Sequence, residues 1–432
     1  MAEIQAFRGI RYDLGHVGHL SDVIAPPYDV ISPELQDELY EKHPNNCVRL
    51  ILNRIRPDDT EDDNRYTRSR RCFRDWQRDG VLFNEADPAI YVYHQEFDVG
   101  DRHYARKGFM ARLRISPFGG GIVFPHEETH SAAKADRLML FTTCKANFSQ
   151  VFGIYPDPKC EAQNLLEEAI AGQTPLEAVD HLGVVHRTWT VYDPAVIASV
   201  AAVMGPKPVF IADGHHRYET ACNYKKHVQD QGMTPDHPAN FVLTMFVAMD
   251  DPGLAVLPTH RLFTGVPETD AAELAGKLGE CFTGVSGGTG PERAQSLWED
   301  MELADDQETL CFYTRKDDRW TVATLTDAGR AKLAEVAADH NEEWRSLGVS
   351  ILHRLVLEHL LGCKDLPKPN YVHLVEEVIR DAKTGEYPLA ALVMPATVEH
   401  IRQISLQGER MPAKSTYFYP KLLSGLVIHS LE

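Results

Sequence analysis

An apolar run, Val209-Phe210-Ile211-Ala212, stops at Asp213-Gly214 and passes straight into His215-His216-Arg217-Tyr218-Glu219-Thr220. The run predicts a buried strand end, and the residues after it predict a helix to about Val228. Two histidines and an arginine therefore sit where a helix begins. Backbone N–H groups there point outward without intrahelical partners, and the helix dipole favours an anion. With Arg217 and one or two of the imidazoles of His215 and His216, the turn predicts a phosphate cradle, and Asp213 stands beside it to hold Mg²⁺ or a hydroxyl. The competing reading is a tight turn whose histidines only cap and pack. It is outweighed because three costly polar side chains would crowd one turn without a ligand. A metal held by Asp213, His215 and His216 requires more contortion, since adjacent helical residues diverge by about 100°.

At 432 residues the chain has room for two or three domains, each with its own core. Its net charge of −19 argues against nucleic acid or an anionic membrane as partner, although a local basic pocket survives any net charge. The first residues lack the basic and apolar parts of a signal peptide, and no stretch approaches the length of a membrane span. Eight cysteines are scattered with no Cys-x-x-Cys pair, which predicts reduced, buried thiols and a cytoplasmic setting.

Strands and helices alternate, with two hairpin regions, so the fold class expected is α+β or mixed α/β. Ser32-Pro33 reads as the cap and first residue of a helix to about Lys42. Val48–Leu52 reads as a strand and 58–79 as a charged helix. Ile90–Phe97 and Tyr104–Ile115 read as a hairpin around Gly100-Asp101. Ser286–Gly290 reads as a loop, and 350–361 as an amphipathic helix. Three regions are expected. A main mixed region spans 1–265, a smaller variable lobe spans 266–345, and 346–432 returns to the main core.

Other clusters also carry candidate chemistry. His126-Glu127-Glu128-Thr129-His130 has a superficial zincin pattern, yet Lys134 and Arg137 follow where a third ligand would be needed. A carboxylate from Glu127 or Glu128 placed near the anion cradle is the better expectation, with a solvated helix face about equal to it. Thr259, His260 and Arg261 could donate to a second phosphate or a carboxylate, or could simply form an edge turn. Met411–Lys421 packs two lysines, two hydroxyls and three aromatics into eleven residues. Lys414, Ser415 and Thr416 offer phosphate donors there, without the glycine-rich run of a P-loop. Pro26-Pro27-Tyr28-Asp29 reads first as a rigid turn, with Tyr28 and Asp29 able to line a pocket.

Five blocks in order (Ala25–Val30, His126–His130, Ala212–Ala221, Pro258–Arg261 and Met411–Lys421) resemble the signature of the DUF1015 family, which has no established function. Members of that family tend to be encoded near serine-biosynthesis genes, which points to serine. Asp213–Arg217 also resembles the turn of the ParB/sulfiredoxin-like superfamily, including its free-serine kinases. That likeness implies a ParB/sulfiredoxin-like element within a larger multi-lobed protein. It also implies phosphate binding by Gly214, His215, His216 and Arg217, with Asp213 assisting phosphoryl transfer or metal binding.

The function expected is a nucleotide-dependent phosphotransferase acting on a small hydroxylated metabolite, serine being the named candidate. ATP or ADP and Mg²⁺ are the expected cofactors. Asp213, Glu127, Glu128 and His216 are the catalytic candidates. Gly214, His215, His216, Arg217, His260, Arg261, Lys414, Ser415 and Thr416 are the phosphate- or nucleotide-binding ones. A phosphatase, a nucleotide-binding regulator and a metal hydrolase built on His126, His130, His215 and His216 are the alternatives. The expected partner is a small phosphorylated ligand.

Overall fold

The computed structural model describes residues 2–128, 131–229 and 232–432, and of residues 131–133 the backbone only. Two compact units emerge. The first comprises 1–125, 129–255 and 420–432; the second comprises 126–128 and 256–419. Each has a β-sheet with helices packed on it, so the chain is mixed α/β.

In the first unit, Ile90–Val99 and Arg102–Arg114 form the expected hairpin, with Gly100 at φ +56° in its turn. Phe241–Ala248 pairs antiparallel with Arg102–Arg114 on one side and parallel with Val151–Tyr155 on the other. All eight of its residues are buried, which is why its sequence is almost continuously apolar. Val209–Asp213 lies beyond, antiparallel to Val151–Tyr155 and parallel to Val123–Pro125. Helices Ser131–Cys144 and His215–Gln229 pack together, and Lys134 pairs with Glu219 at 3.0 Å. Phe109 and Phe246 stack at 5.3 Å within the core.

The chain re-enters this unit at Pro420. Ser424 bridges Ala25, Ile428 bridges Ile10, and His429–Ser430 pairs with Ala146–Asn147. Side chains from the sheet hold the same segment. Gln95 donates to Lys421 O at 3.2 Å, Gln150 to Leu423 O at 3.1 Å, and the fully buried Arg106 to Pro420 O at 2.5 Å. A buried carbonyl without a partner is costly, so each of these bonds selects one path for the segment.

The second unit is built on a six-stranded sheet, with Leu389–Leu392 between Thr309–Thr314 and His260–Phe263. The region 266–345 is not a unit of its own. Its strands share this sheet with residues 260–263, 370–372 and 389–392, so the core is common to 256–419.

Several local expectations change. Val48–Ile51 is helical, because the buried Asn46 amide accepts from Val48 N at 3.0 Å and donates to Asp22 O and Ile24 O. Ser286–Gly290 is mostly strand, since Phe282–Thr289 keeps its pairing with Arg319–Leu325 through a register shift between Ser286 and Gly288. The charged helix starts at Arg65, after the capping box of Asn64 and Thr67. Residues 351–360 form a π-helix. The eight cysteines carry no disulfide, and four of them are only half-buried. Among the described residues, no helix is long and apolar enough to cross a membrane.

One packing contact tests the first sheet. A Cβ on Gly108 would lie 2.2 Å from the Phe246 carbonyl oxygen, a backbone atom that cannot rotate away. Gly108→Ala is expected to destabilise the protein by about 2 kcal/mol or more, read as a lower urea midpoint.

A candidate anion site at the strand-to-helix turn

The register of Val209–Asp213 against Val151–Tyr155 shifts between Ile211 and Asp213. This irregularity re-aims the strand end, as bulges beside functional sites do. Gly214 follows at φ +89°, which favours glycine, and helix His215–Gln229 begins at once. A Cβ at Gly214 would meet the Arg217 guanidinium at 2.9 Å, so glycine also makes room for the arginine to fold back.

Arg217 returns to its own strand end. Its Nη2 donates to Asp213 Oδ2 at 2.5 Å, and its Nη1 donates to the Gln150 carbonyl. Lys421 Nζ donates to the other Asp213 oxygen, Oδ1, at 2.9 Å. Side-chain exposure is 6% for Arg217, 19% for Asp213 and 13% for Lys421. One carboxylate thus faces two cations at a helix N-terminus, and this triplet carries a net positive charge. Tyr28 stands close by, with the Arg137 guanidinium over its ring at 3.9 Å. Burial pushes the Tyr28 phenol up to about 12, with Asp29 and Asp213 adding to the rise and Arg137 and Arg217 opposing it. Arg137 and Arg65 in turn share one carboxylate, Asp136.

The expected donors occupy different positions here. His215 is buried and His216 half-buried. Arg217, read as a direct phosphate donor, is instead bound to Asp213 and Gln150. Asp213, read as a metal ligand, has a cation on each oxygen. Among the described residues, no group of three or more His, Cys, Asp or Glu is placed to hold a metal ion. Both Asp213 oxygens are thus held by cations at the position where a Mg²⁺ ligand was expected. His130, one of the four histidines of the metal-hydrolase reading, lies outside the described residues, as does Thr129.

The remaining candidates belong to the second unit. His126 is buried, and its Nε2 meets Thr416 Oγ1 at 2.9 Å. Glu127 accepts from Lys414 N at 3.0 Å, and Glu128 is exposed. Arg261 is fully buried, donating to Thr259 O and, at 2.9 Å, to Lys414 O. Lys414 is thus clamped through both its N–H and its C=O at φ +58°, a conformation costly for a residue with a Cβ. The hydroxyl of Ser415 is spent on Pro412 O at 2.5 Å. His260, read as a ligand donor, is a core residue. Its strand is buried on both faces, its ring meets Trp298 edge-on at 4.8 Å, and its Nδ1 accepts from Val393 N at 3.3 Å.

Sequence reasoning assigned no role to Lys421, and left Tyr28 as a turn residue able to line a pocket. The signal for Lys421 was present, because it closes the same dense block that drew attention to Lys414.

The sequence profile of a family described as "Protein of unknown function (DUF1015)" matches residues 4–350. No curated protein matches the chain. Among solved structures, a free serine kinase in complex with AMP is 12% identical, with 68% of this chain and 83% of that one covered at a TM-score of 0.32. A conserved hypothetical protein from Pyrococcus furiosus is 13% identical, with coverage of 69% and 89% at 0.32. SbnI with a C-terminal truncation, from Staphylococcus aureus, is 10% identical, with coverage of 70% and 82% at 0.33. Likeness at this level carries no statement about activity.

Two predictions follow from the geometry. Gly214→Ala places a Cβ in a left-handed conformation against Arg217, and should cost about 1–3 kcal/mol in chemical unfolding. The second concerns acid. Burial, helped by His373 and Arg261, pushes His260 down to about 3 from its ordinary 6.5, so the folded state holds it neutral. Its contribution is complete above pH 6.5 and drains as pH falls toward 3, by roughly 1 kcal/mol per pH unit. The urea midpoint should therefore fall between pH 7 and pH 4.5. His260→Asn, whose amide can replace Nδ1 without titrating, should narrow that fall, and an unchanged gap would contradict the assignment.

Proposed function

Because this chain belongs to the DUF1015 family, whose function is unknown, membership confers no activity, and we propose one from the geometry. The Asp213–Arg217 turn binds the phosphates of a nucleotide, ATP or ADP, and the protein transfers a phosphoryl group to a small hydroxylated metabolite such as serine. The observation that carries this reading is the pair of cations, Arg217 and Lys421, on the single carboxylate of Asp213 at the start of a helix. An electropositive point of this kind, in a chain of net charge −19, is what an anion would seek. The resemblance of Asp213–Arg217 to the phosphate-binding turn of free-serine kinases supports the same reading.

Phosphoryl transfer is chiefly positioning and charge neutralisation. In this scheme the N–H groups at the helix start, His216 and the Lys421 ammonium neutralise phosphate oxygens. Arg217 is a positioning residue that holds Asp213 in place. Asp213 orients the acceptor hydroxyl, whose oxygen bonds to the terminal phosphorus of the nucleotide as the bond to the bridging oxygen breaks; the shortened nucleotide leaves with that electron pair, and the hydroxyl proton passes to water. No protein ligand is assigned to Mg²⁺.

The test is a thermal-shift and calorimetric series with ATP, ADP, CTP and pyrophosphate, with and without Mg²⁺, followed by serine-dependent ATP consumption. Lys421→Met removes one charge-assisted bond and should weaken nucleotide binding by roughly 10–100-fold while leaving the fold intact. Binding without consumption of ATP in the presence of serine would remove the transferase. A nucleotide affinity unchanged by Lys421→Met would remove the site.

A further inference from the structure

A separate cavity of about 570 Å³ lies in the first unit, open on one side and lined by Phe7, Arg8, Pro88, Arg112, Pro238 and His429 among others. Its volume falls in the range of small-molecule sites, well beyond what a bare ion needs. The charges around it are unevenly matched. The two carboxylates on its wall are already engaged, Glu85 by Arg11 and by Tyr192 at 2.6 Å, and Glu432 by Lys145 at 3.1 Å. Among the described residues neither arginine makes an ion pair, although Asp236 and Glu3 lie near enough to act on Arg112. Among the described residues Arg8 makes no hydrogen bond or ion pair, and it is exposed. Arg112 is half-buried, with its guanidinium 4.3 Å over the Phe241 ring, and donates only to the amide oxygen of Gln5, at 2.6 and 3.1 Å.

His429 supplies an independent sign. It is 3% exposed, the Pro238 carbonyl acts on its ring, and its Nε2 is buried with no hydrogen-bond partner among the described residues. Phe7 meets the ring edge-on at 5.1 Å, so the imidazole has a fixed seat. A buried polar atom without a partner in a native protein calls for an explanation, and a site for a polar ligand group is one.

We infer that this cavity is a second small-molecule site, taking an organic anion whose carboxylate or phosphate group reaches Arg112 and His429 while Arg8 closes over it. Phe7, Pro88 and Pro238 supply the apolar wall for the body of the ligand. Guanidinium edges pair with the oxygens of either acid, so the two chemistries share one recognition principle.

The full-length protein is titrated with citrate for the carboxylate arm and with glycerol 3-phosphate for the phosphate arm. The His429 imidazole resonance is the readout, assigned by its loss in His429→Gln. A saturable shift with citrate alone identifies a carboxylate site, one with glycerol 3-phosphate alone a phosphate site, and shifts with both a site that reads charge. In each case Arg112→Met should weaken binding by about tenfold or more. Arg8→Ala, on an exposed side chain, should weaken it severalfold and serves as the deciding variant if Arg112→Met does not fold. Lys421→Met should leave it unchanged, which separates this site from the nucleotide turn. No saturable shift with either probe, or a shift unaffected by the arginine variants, overturns the inference.

Discussion

The carboxylate of Asp213 is held between Arg217 and Lys421, and the arrangement of the candidate site depends on that contact. The two cations reach it by different routes. Arg217 is four residues away on the helix that Asp213 precedes, so the i,i+4 geometry of one helical turn delivers it. Lys421 is 208 positions away and arrives only because the final segment of the chain lies in the first unit. Neither cation could be buried to this degree without a negative partner, and the carboxylate equally needs them. The pairing brings two cations to one carboxylate beside a helix start.

That arrangement rests on how the terminal segment is gripped. Gln95, Arg106 and Gln150 donate to the carbonyls of Lys421, Pro420 and Leu423, so side chains of the sheet determine where the lysine stands. Arg106 does this at the cost of its own solvation, and burial pulls its guanidinium down to about 10. A buried arginine whose contacts include backbone carbonyls makes sense as a positioning device. Arg261 acts in the same manner in the second unit, where it holds the Thr259 and Lys414 carbonyls. The backbone strain at Lys414 persists because Glu127 and Arg261 over-determine that peptide.

Histidines illustrate how one residue type separates by environment. His260 and His429 are both buried and kept neutral, yet they differ in what surrounds them. His260 sits in a packed strand against Trp298, with its Nδ1 used by a backbone amide. His429 lines a cavity beside Arg112, which makes no ion pair among the described residues. Each leaves its Nε2 without a hydrogen-bond partner among the described residues, His260 inside a packed strand and His429 on the wall of a cavity that a ligand could enter.

Patterns of local origin could be read directly from the residues. The strand 209–213, the helix from His215, the 90–114 hairpin and the Ser32 cap all follow from hydrophobic period, turn chemistry and capping, which act over a few neighbours. The positive turn was legible for the same reason, as an Asp-Gly corner followed by three basic groups. What long-range contact decides was not legible. Val48–Ile51 is helical because of a buried Asn46 amide, and the 266–345 region joins a sheet shared with later strands. Arg217 serves Asp213 first, because folding brings a carboxylate and a carbonyl within its reach before any ligand arrives. Lys421 gained its place only when thirteen terminal residues, 420–432, returned to the first unit. Local period carries no information about which distant carbonyl a buried donor will find, and that choice belongs to the tertiary structure.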